Sequence, residues 1–140
     1  MKVVKSFSFD IAHMLDSHDG KCKNLHGHTY RLEVEISGPL IEAGPKEGMI
    51  MDFADLKQVV KQWIIDPMDH AFLYHSKSER ETALAEMLQG WDLKTYALDC
   101  RTTAEAMSHH IYHVLREQNL PVSRICLWET PTSYSEYEGE

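Results

Sequence analysis

The sequence predicts an α+β fold built on a mainly antiparallel sheet. Three observations predict it. Apolar and polar residues alternate at period two near both ends of the chain, the signature of half-buried strands. Two other segments carry their apolar residues at helical spacing. The strands follow one another as hairpins, without the regular strand-helix-strand alternation that a parallel sheet requires.

Taken in order, residues 3–13 place Val3, Phe7, Phe9, Ile11 and His13 on one parity, with Lys5 the exception. The next segment is more regular. His26, His28, Tyr30, Leu32, Val34 and Ile36 share one parity, while Gly27, Thr29, Arg31, Glu33, Glu35 and Ser37 take the other, so both histidines belong to the apolar face. Gly38, Pro39, Gly44, Pro45 and Gly48 punctuate a loop, and Met49 to Phe53 reads as a short apolar strand. Asp52 then opens a helix carrying Leu56, Val59, Val60, Trp63 and Ile64, which Asp66-Pro67 is predicted to end. Residues 74–101 have the weakest pattern: a polar start, a short helix with Leu84, Met87 and Leu88, and a strand at Lys94 to Leu98. Thr102 and Glu105 form a capping box before a second long helix marked by Ala104, Met107, Ile111, Val114 and Leu115. Pro121 closes that helix. Val122 to Thr130 alternates again, with Ile125, Leu127 and Glu129 on one face, and a last strand is predicted at Ser133 to Tyr137.

Residues 1–140 are expected to form one domain, since nothing along the chain reads as a linker, repeat or low-complexity tract. A formal charge of −8 argues against nucleic acid as a partner, because such binding needs a basic surface. No apolar run is long enough for a membrane span, and the N-terminus lacks the continuous apolar stretch of a secretory signal. Cys22, Cys100 and Cys126 are too few and too scattered for a disulfide framework, so a reducing cytoplasm is the expected compartment.

Nine histidines in 140 residues make a bare His-x-His pair weak evidence for a metal. What strengthens His26 and His28 is parity, because side chains two apart on a strand share a face with Cα atoms about 6.5 to 7 Å apart. His13, ending the preceding strand on its own apolar parity, is the third candidate ligand for a zinc that keeps one position open. Spacing alone is equally compatible with three histidines satisfied by hydrogen bonds. His109, His110 and His113 form a rival set on the second helix, but the glutamate of a zinc-protease motif is missing there, and a solvated face is the better reading.

Cys22 lies between Lys21 and Lys23, a setting that suits a base or nucleophile, although it also suits an incidental loop thiol. Cys100 and Cys126 read as packing residues. Asp69-His70 can assist proton transfer only if the fold brings the pair to Cys22 or to a metal. Glu129 occupies the apolar parity of its strand, where an unpaired carboxylate is costly; it either pairs with a buried cation or receives a ligand with a donor fork.

Together, Cys22-Lys-Asn-Leu-His26-Gly-His28, the Gly48 to Phe53 segment, Asp69-His70, Thr102-Thr103-Ala104-Glu105 and Trp128-Glu129-Thr130 resemble the 6-pyruvoyl-tetrahydropterin synthase family nearly end to end. The three-residue gap between the cysteine and His-Gly-His is most similar to the branch that makes 6-carboxytetrahydropterin on the way to queuosine and related deazapurines. The resemblance implies a tunnelling fold: an antiparallel four-stranded sheet with two helices on one face, three subunits closing a barrel, and two trimers forming a homohexamer. It implies that His13, His26 and His28 hold Zn²⁺, that Cys22 is the proton acceptor, and that Asp69 and His70 complete a relay from a neighbouring subunit. Glu129 would clamp the pterin ring and Thr103 would add contacts to it. The implied substrate is 7,8-dihydroneopterin triphosphate, converted to 6-carboxytetrahydropterin, acetaldehyde and triphosphate. Lys21, Lys23 or Arg31 would balance the triphosphate charge. The alternatives are 6-pyruvoyltetrahydropterin formation, which releases only triphosphate, and a zinc-stabilised binding module without turnover. One departure from the family pattern is Ala106, where relatives commonly have Asn.

Overall fold

The computed structural model describes residues 1–140. Its centre is the hairpin that the alternation predicts: β1 (Lys2–His13) pairs antiparallel with β2 (His26–Ser37), from Lys2 opposite Ser37 to His13 opposite His26. β5 (Val122–Thr130) adds antiparallel to the other side of β2, with Leu32 opposite Leu127, and β6 (Ser133–Tyr137) follows it. On the opposite flank, β3 (Ala71–His75) joins β1 in parallel and β4 (Thr95–Leu98) joins β3 in parallel. The sheet is therefore mixed and six-stranded, in the order β4-β3-β1-β2-β5-β6. The four-stranded antiparallel sheet implied by the resemblance is corrected in this respect. The alternation does not reveal β3 because Ala71, Phe72 and Leu73 are buried in succession, and so short an apolar run carries no period of its own.

α1 (Phe53–Val60) starts where expected, with the Asp52 side chain accepting from the Ala54 amide at 2.8 Å. The segment before it is not a strand. Met49 to Asp52 is irregular, with Ile50 and Met51 laid half-buried against the core. The helix also runs past Asp66-Pro67, through a π-helical turn (Lys61–Ile65) into the short α2 (Asp66–Met68). Leu56, Val60, Ile64 and Met68 are all fully buried at a strict four-residue repeat. A regular helix with 3.6 residues per turn would rotate such a stripe away from the core, and the wider π turn cancels part of that drift. It also precedes Pro67, whose ring cannot accept the regular helical arrangement.

α3 (Glu79–Gly90) is capped by Ser78 and packs on β3 and β4; it is the short helix expected around Leu84, Met87 and Leu88, beyond the two that the resemblance implied. α4 (Ala104–Glu117) buries Met107, Ile111 and Leu115 against the same core as α1. Its cap is Thr103, accepting from the Ala106 amide at 3.2 Å, one residue later than the predicted capping box. This frees Thr102 for another role. No helix is long and apolar enough to cross a membrane.

The sheet therefore has two different faces. One carries Phe9, Ile11, Tyr30, Leu32, Ile125 and Leu127 into the core under the helices. The other carries Asp10, Thr29, Arg31 and Trp128, none of them buried.

Candidate active site

Three histidines converge where β1 and β2 meet at the Cys22 loop. His13, His26 and His28 each place a ring nitrogen within 4.8 Å of the others. Their hydrogen bonds define what those nitrogens are. His13 Nδ1 lies 2.9 Å from the Thr102 carbonyl oxygen, which can only accept, so Nδ1 carries the proton. His26 Nδ1 lies 2.7 Å from the Asn24 carbonyl and must donate for the same reason. Both Nε2 atoms are then lone-pair acceptors, yet they face each other at 3.1 Å. A tetrahedral zinc with ligands at 2.0–2.1 Å holds its nitrogens about 3.3 Å apart, close to that spacing. The third ring agrees, because His28 Nε2 is buried without any hydrogen-bond partner. The residues present thus fit a cation ligated by three imidazoles. Burial, reinforced by the other two rings, lowers His13 to about 4 against the weaker opposing effect of Thr102. Neutral imidazole is the form that binds metal.

Gly27 sits between the two ligands of β2, and a Cβ there would come within 2.8 Å of the Ile11 carbonyl oxygen. Only a glycine lets β2 approach β1 closely enough for His26 and His28 to reach His13. Gly27→Ala is expected to destabilise the protein by about 1–3 kcal/mol through this overpacking. It should also release zinc more readily to a chelator, measured as metal content after dialysis alongside a denaturation midpoint.

Cys22 occupies a 3₁₀ turn (Lys21–Lys23) in the β1–β2 connection, and with Lys21, His26 and His28 it lines a cavity of about 330 Å³. The loop is held from two sides. The Leu15 amide donates to the Cys22 carbonyl at 2.9 Å. Nearby Asp16 accepts the Ser78 hydroxyl at 2.8 Å through its side chain, and the Arg101 guanidinium at 2.7 Å through its carbonyl. Residues of the illegible 74–101 stretch therefore brace the Cys22 loop. The other two thiols are pushed up by burial, Cys126 to about 11 and Cys100 in the same direction, as befits packing residues.

Glu129 stands beside the histidines at a β-bulge, where the β5–β6 register shifts between Trp128 and Thr130. Bulges re-aim side chains next to functional sites. One oxygen lies 3.7 Å from His28 Nε2 and the other receives the Tyr30 hydroxyl at 3.4 Å. Its side chain is 31% exposed, so the carboxylate has room for a ligand. Burial first, then Glu129, raises the Tyr30 phenol above its ordinary range.

Other candidates lie elsewhere. Asp69 and His70 flank Asp10, which projects from the face opposite His13 and His28, so one chain does not bring them to its own Cys22. Arg31 is also on that opposite face, 4.7 Å over the Trp128 ring, which removes it as a partner for an anion in the Cys22 cavity. Thr103 spends its hydroxyl oxygen on the α4 cap. On α4, His109 and His113 are exposed beside Tyr137 while His110 bonds the Tyr96 hydroxyl at 2.7 Å, so that trio does not converge. Sequence reasoning missed these roles of Thr102 and Asn24, because the carbonyls they use leave no residue-type signal; only the Thr102 hydroxyl, 3.2 Å from His13 Nδ1, could have given one.

A family profile described as 6-pyruvoyl tetrahydropterin synthase matches residues 2–140. A 6-carboxy-5,6,7,8-tetrahydropterin synthase of Haemophilus influenzae is 54% identical over 138 residues, covering 98% of each chain. A synthase of the same name from Rickettsia felis is 32% identical, over 97% of this chain and 99% of its own. Among solved structures, an uncharacterized protein from Wolinella succinogenes aligns with a TM-score of 0.82 at 20% identity, covering 100% of this chain and 98% of its own. The 6-pyruvoyl tetrahydropterin synthase of Caenorhabditis elegans aligns with a TM-score of 0.71 at 23% identity, covering 100% and 96%. At such identities the two structures bear on the fold alone.

Proposed function

The chain belongs to the 6-pyruvoyl tetrahydropterin synthase family, and from that premise we infer that it is a 6-carboxy-5,6,7,8-tetrahydropterin synthase, a lyase acting on a pterin. The observation that carries this reading is the 54% identity to a synthase of that name over 98% of both chains. The substrate we assign is 7,8-dihydroneopterin triphosphate, with 6-carboxytetrahydropterin, acetaldehyde and triphosphate as products, serving deazapurine synthesis in the cytoplasm.

Each role has a geometric support. His13, His26 and His28 would hold zinc, since two of their Nε2 atoms face each other and the third is orphaned. When bound, zinc supplies Lewis acidity to the side-chain hydroxyls of the substrate. Glu129 offers two carboxylate oxygens to the adjacent N–H groups of the pterin's amino-pyrimidinone edge, with Tyr30 steadying one of them. Cys22 accepts a proton from the side chain, and Lys21 in the same cavity balances the departing triphosphate. Thr103 keeps its hydroxyl hydrogen for the ring. Asp69 and His70 face away from their own chain's Cys22, which supports their delivery to the Cys22 of a neighbouring copy. We therefore assign the working form to an assembly with sites between subunits, a homohexamer of two trimers. Closure across copies would cover the exposed edges at β4 and β6.

The test is incubation of zinc-loaded protein with 7,8-dihydroneopterin triphosphate, followed by mass spectrometry of the pterins and assay of acetaldehyde. Acetaldehyde with 6-carboxytetrahydropterin is expected. Triphosphate release without acetaldehyde would point to 6-pyruvoyltetrahydropterin formation instead, and unchanged substrate from folded, metal-replete protein would leave a binding protein.

A further inference from the structure

We propose that Asp10 is the residue that positions the His70 imidazole for proton transfer, an assignment that rests on His70 belonging to the relay. The Asp69–His70 corner is latched onto β1 at this residue by a reciprocal pair of bonds. The His70 amide donates to the Asp10 carbonyl at 2.7 Å, and the Asp10 amide donates to Asp69 Oδ1 at 2.9 Å. To make this turn His70 takes φ +62°, in the left-handed region that residues with a side chain seldom enter. Strain of this kind persists where the surroundings over-determine it. Here the determinants are explicit, because the Lys94 ammonium closes the corner from the other side by donating to the Asp69 carbonyl at 2.6 Å.

The result is a ring whose Nε2 lies 3.9 Å from Asp10 Oδ2 and 3.9 Å from Asp69 Oδ1. The two carboxylates are equidistant and not equivalent. Asp69 Oδ1 already accepts from the Asp10 amide, so this carboxylate also builds the corner. Asp10 turns its other oxygen, Oδ1, to the Thr29 hydroxyl across the β1–β2 pair, which fixes the carboxylate rotamer and leaves Oδ2 facing the imidazole with no other hydrogen bond. At 3.9 Å the pair is beyond hydrogen-bond reach, and a ring rotation is what would bring Nε2 onto Oδ2. A carboxylate in that place favours a proton on Nε2 and holds the ring plane while the proton moves, the orienting part that a third group plays for a catalytic base. On this reading Asp69 builds the corner besides serving the relay with His70, and Asp10 adds a second, orienting carboxylate.

The experiment compares Asp10→Asn, Asp10→Glu and His70→Gln in the zinc-loaded protein. Asp10→Asn is expected to lower kcat about tenfold or more while KM stays within about twofold and zinc content is unchanged. Asp10→Glu should restore most of the loss. The ¹⁵N signals of His70, assigned by their disappearance in His70→Gln, should show the Nε2-protonated tautomer losing population in Asp10→Asn. Two results would overturn the proposal: kcat within about twofold of the unaltered protein, or a rise in KM with kcat unchanged. Full kcat in His70→Gln would remove the relay assignment and the proposal with it. If the unaltered protein converts no substrate, the synthase reading falls, and the tautomer measurement still decides whether Asp10 governs His70.

Discussion

Cys22→Ala is expected to keep its fold and its zinc and to lose turnover by about 10²- to 10⁴-fold, the contribution of a positioned proton-transfer group. The expectation follows from where the sulfur is and from what the rest of the residue does. Cys22 is not one of the three histidines whose ring nitrogens lie within 4.8 Å of one another, so its removal takes no ligand from the proposed zinc site. The bond that folds its loop uses the Cys22 carbonyl, which alanine retains. The bracing of Asp16 by Ser78 and Arg101 is untouched as well. No other thiol lines that cavity, since Cys100 lies in the bend after β4 and Cys126 within β5, and burial raises both. The checks are single-turnover kinetics, bound zinc and a thermal melt on the same preparation. Retained activity would remove Cys22 from the mechanism. Lost zinc would make it a ligand.

The contrast between legible and illegible parts has a physical cause. Periodicity reports burial on one side of an element, so β1, β2 and the common face of His13, His26 and His28 were visible in the chain, as was Glu129 on the apolar parity of β5. Such periodicity says nothing about which distant strand lies alongside. The parallel pairing of Ile11 with Ala71, which moves Asp69 and His70 to the Asp10 side of the sheet, left no local trace. Run length misled at Met49 to Phe53, where apolar residues serve a loop that lies on the core. Pro67 misled because a π turn absorbed it. Backbone carbonyls are the hardest to read. Thr102 and Asn24 fix the tautomers of two imidazoles through carbonyl oxygens that any residue would carry, with the Thr102 hydroxyl a further contact at 3.2 Å. The proposed roles come from the family resemblance, and the hydrogen bonds supply physical support for them.

Glu129→Gln is the second substitution with a large expected effect. Glutamine matches glutamate in shape, and the Tyr30 hydroxyl can still donate to the remaining carbonyl oxygen, so the packing at the bulge persists. What changes is the pattern offered to a ligand. A carboxylate presents two acceptors, whereas an amide presents one acceptor and one donor. Against the two adjacent N–H groups of a pterin edge, the amide loses one charge-assisted bond and sets a donor against a donor. Removing a hydrogen bond to a charged group costs roughly 1.5–3 kcal/mol, and the opposed donor adds to it. The expected result is a fall in kcat/KM of about 10²-fold, carried mostly by KM, because the clamp holds substrate and transition state alike. Zinc content should not change, as Glu129 approaches His28 only to 3.7 Å and is not among the converging ligands. A fall in kcat alone would instead place Glu129 in proton transfer, and unchanged kcat and KM together would move the pterin away from the bulge.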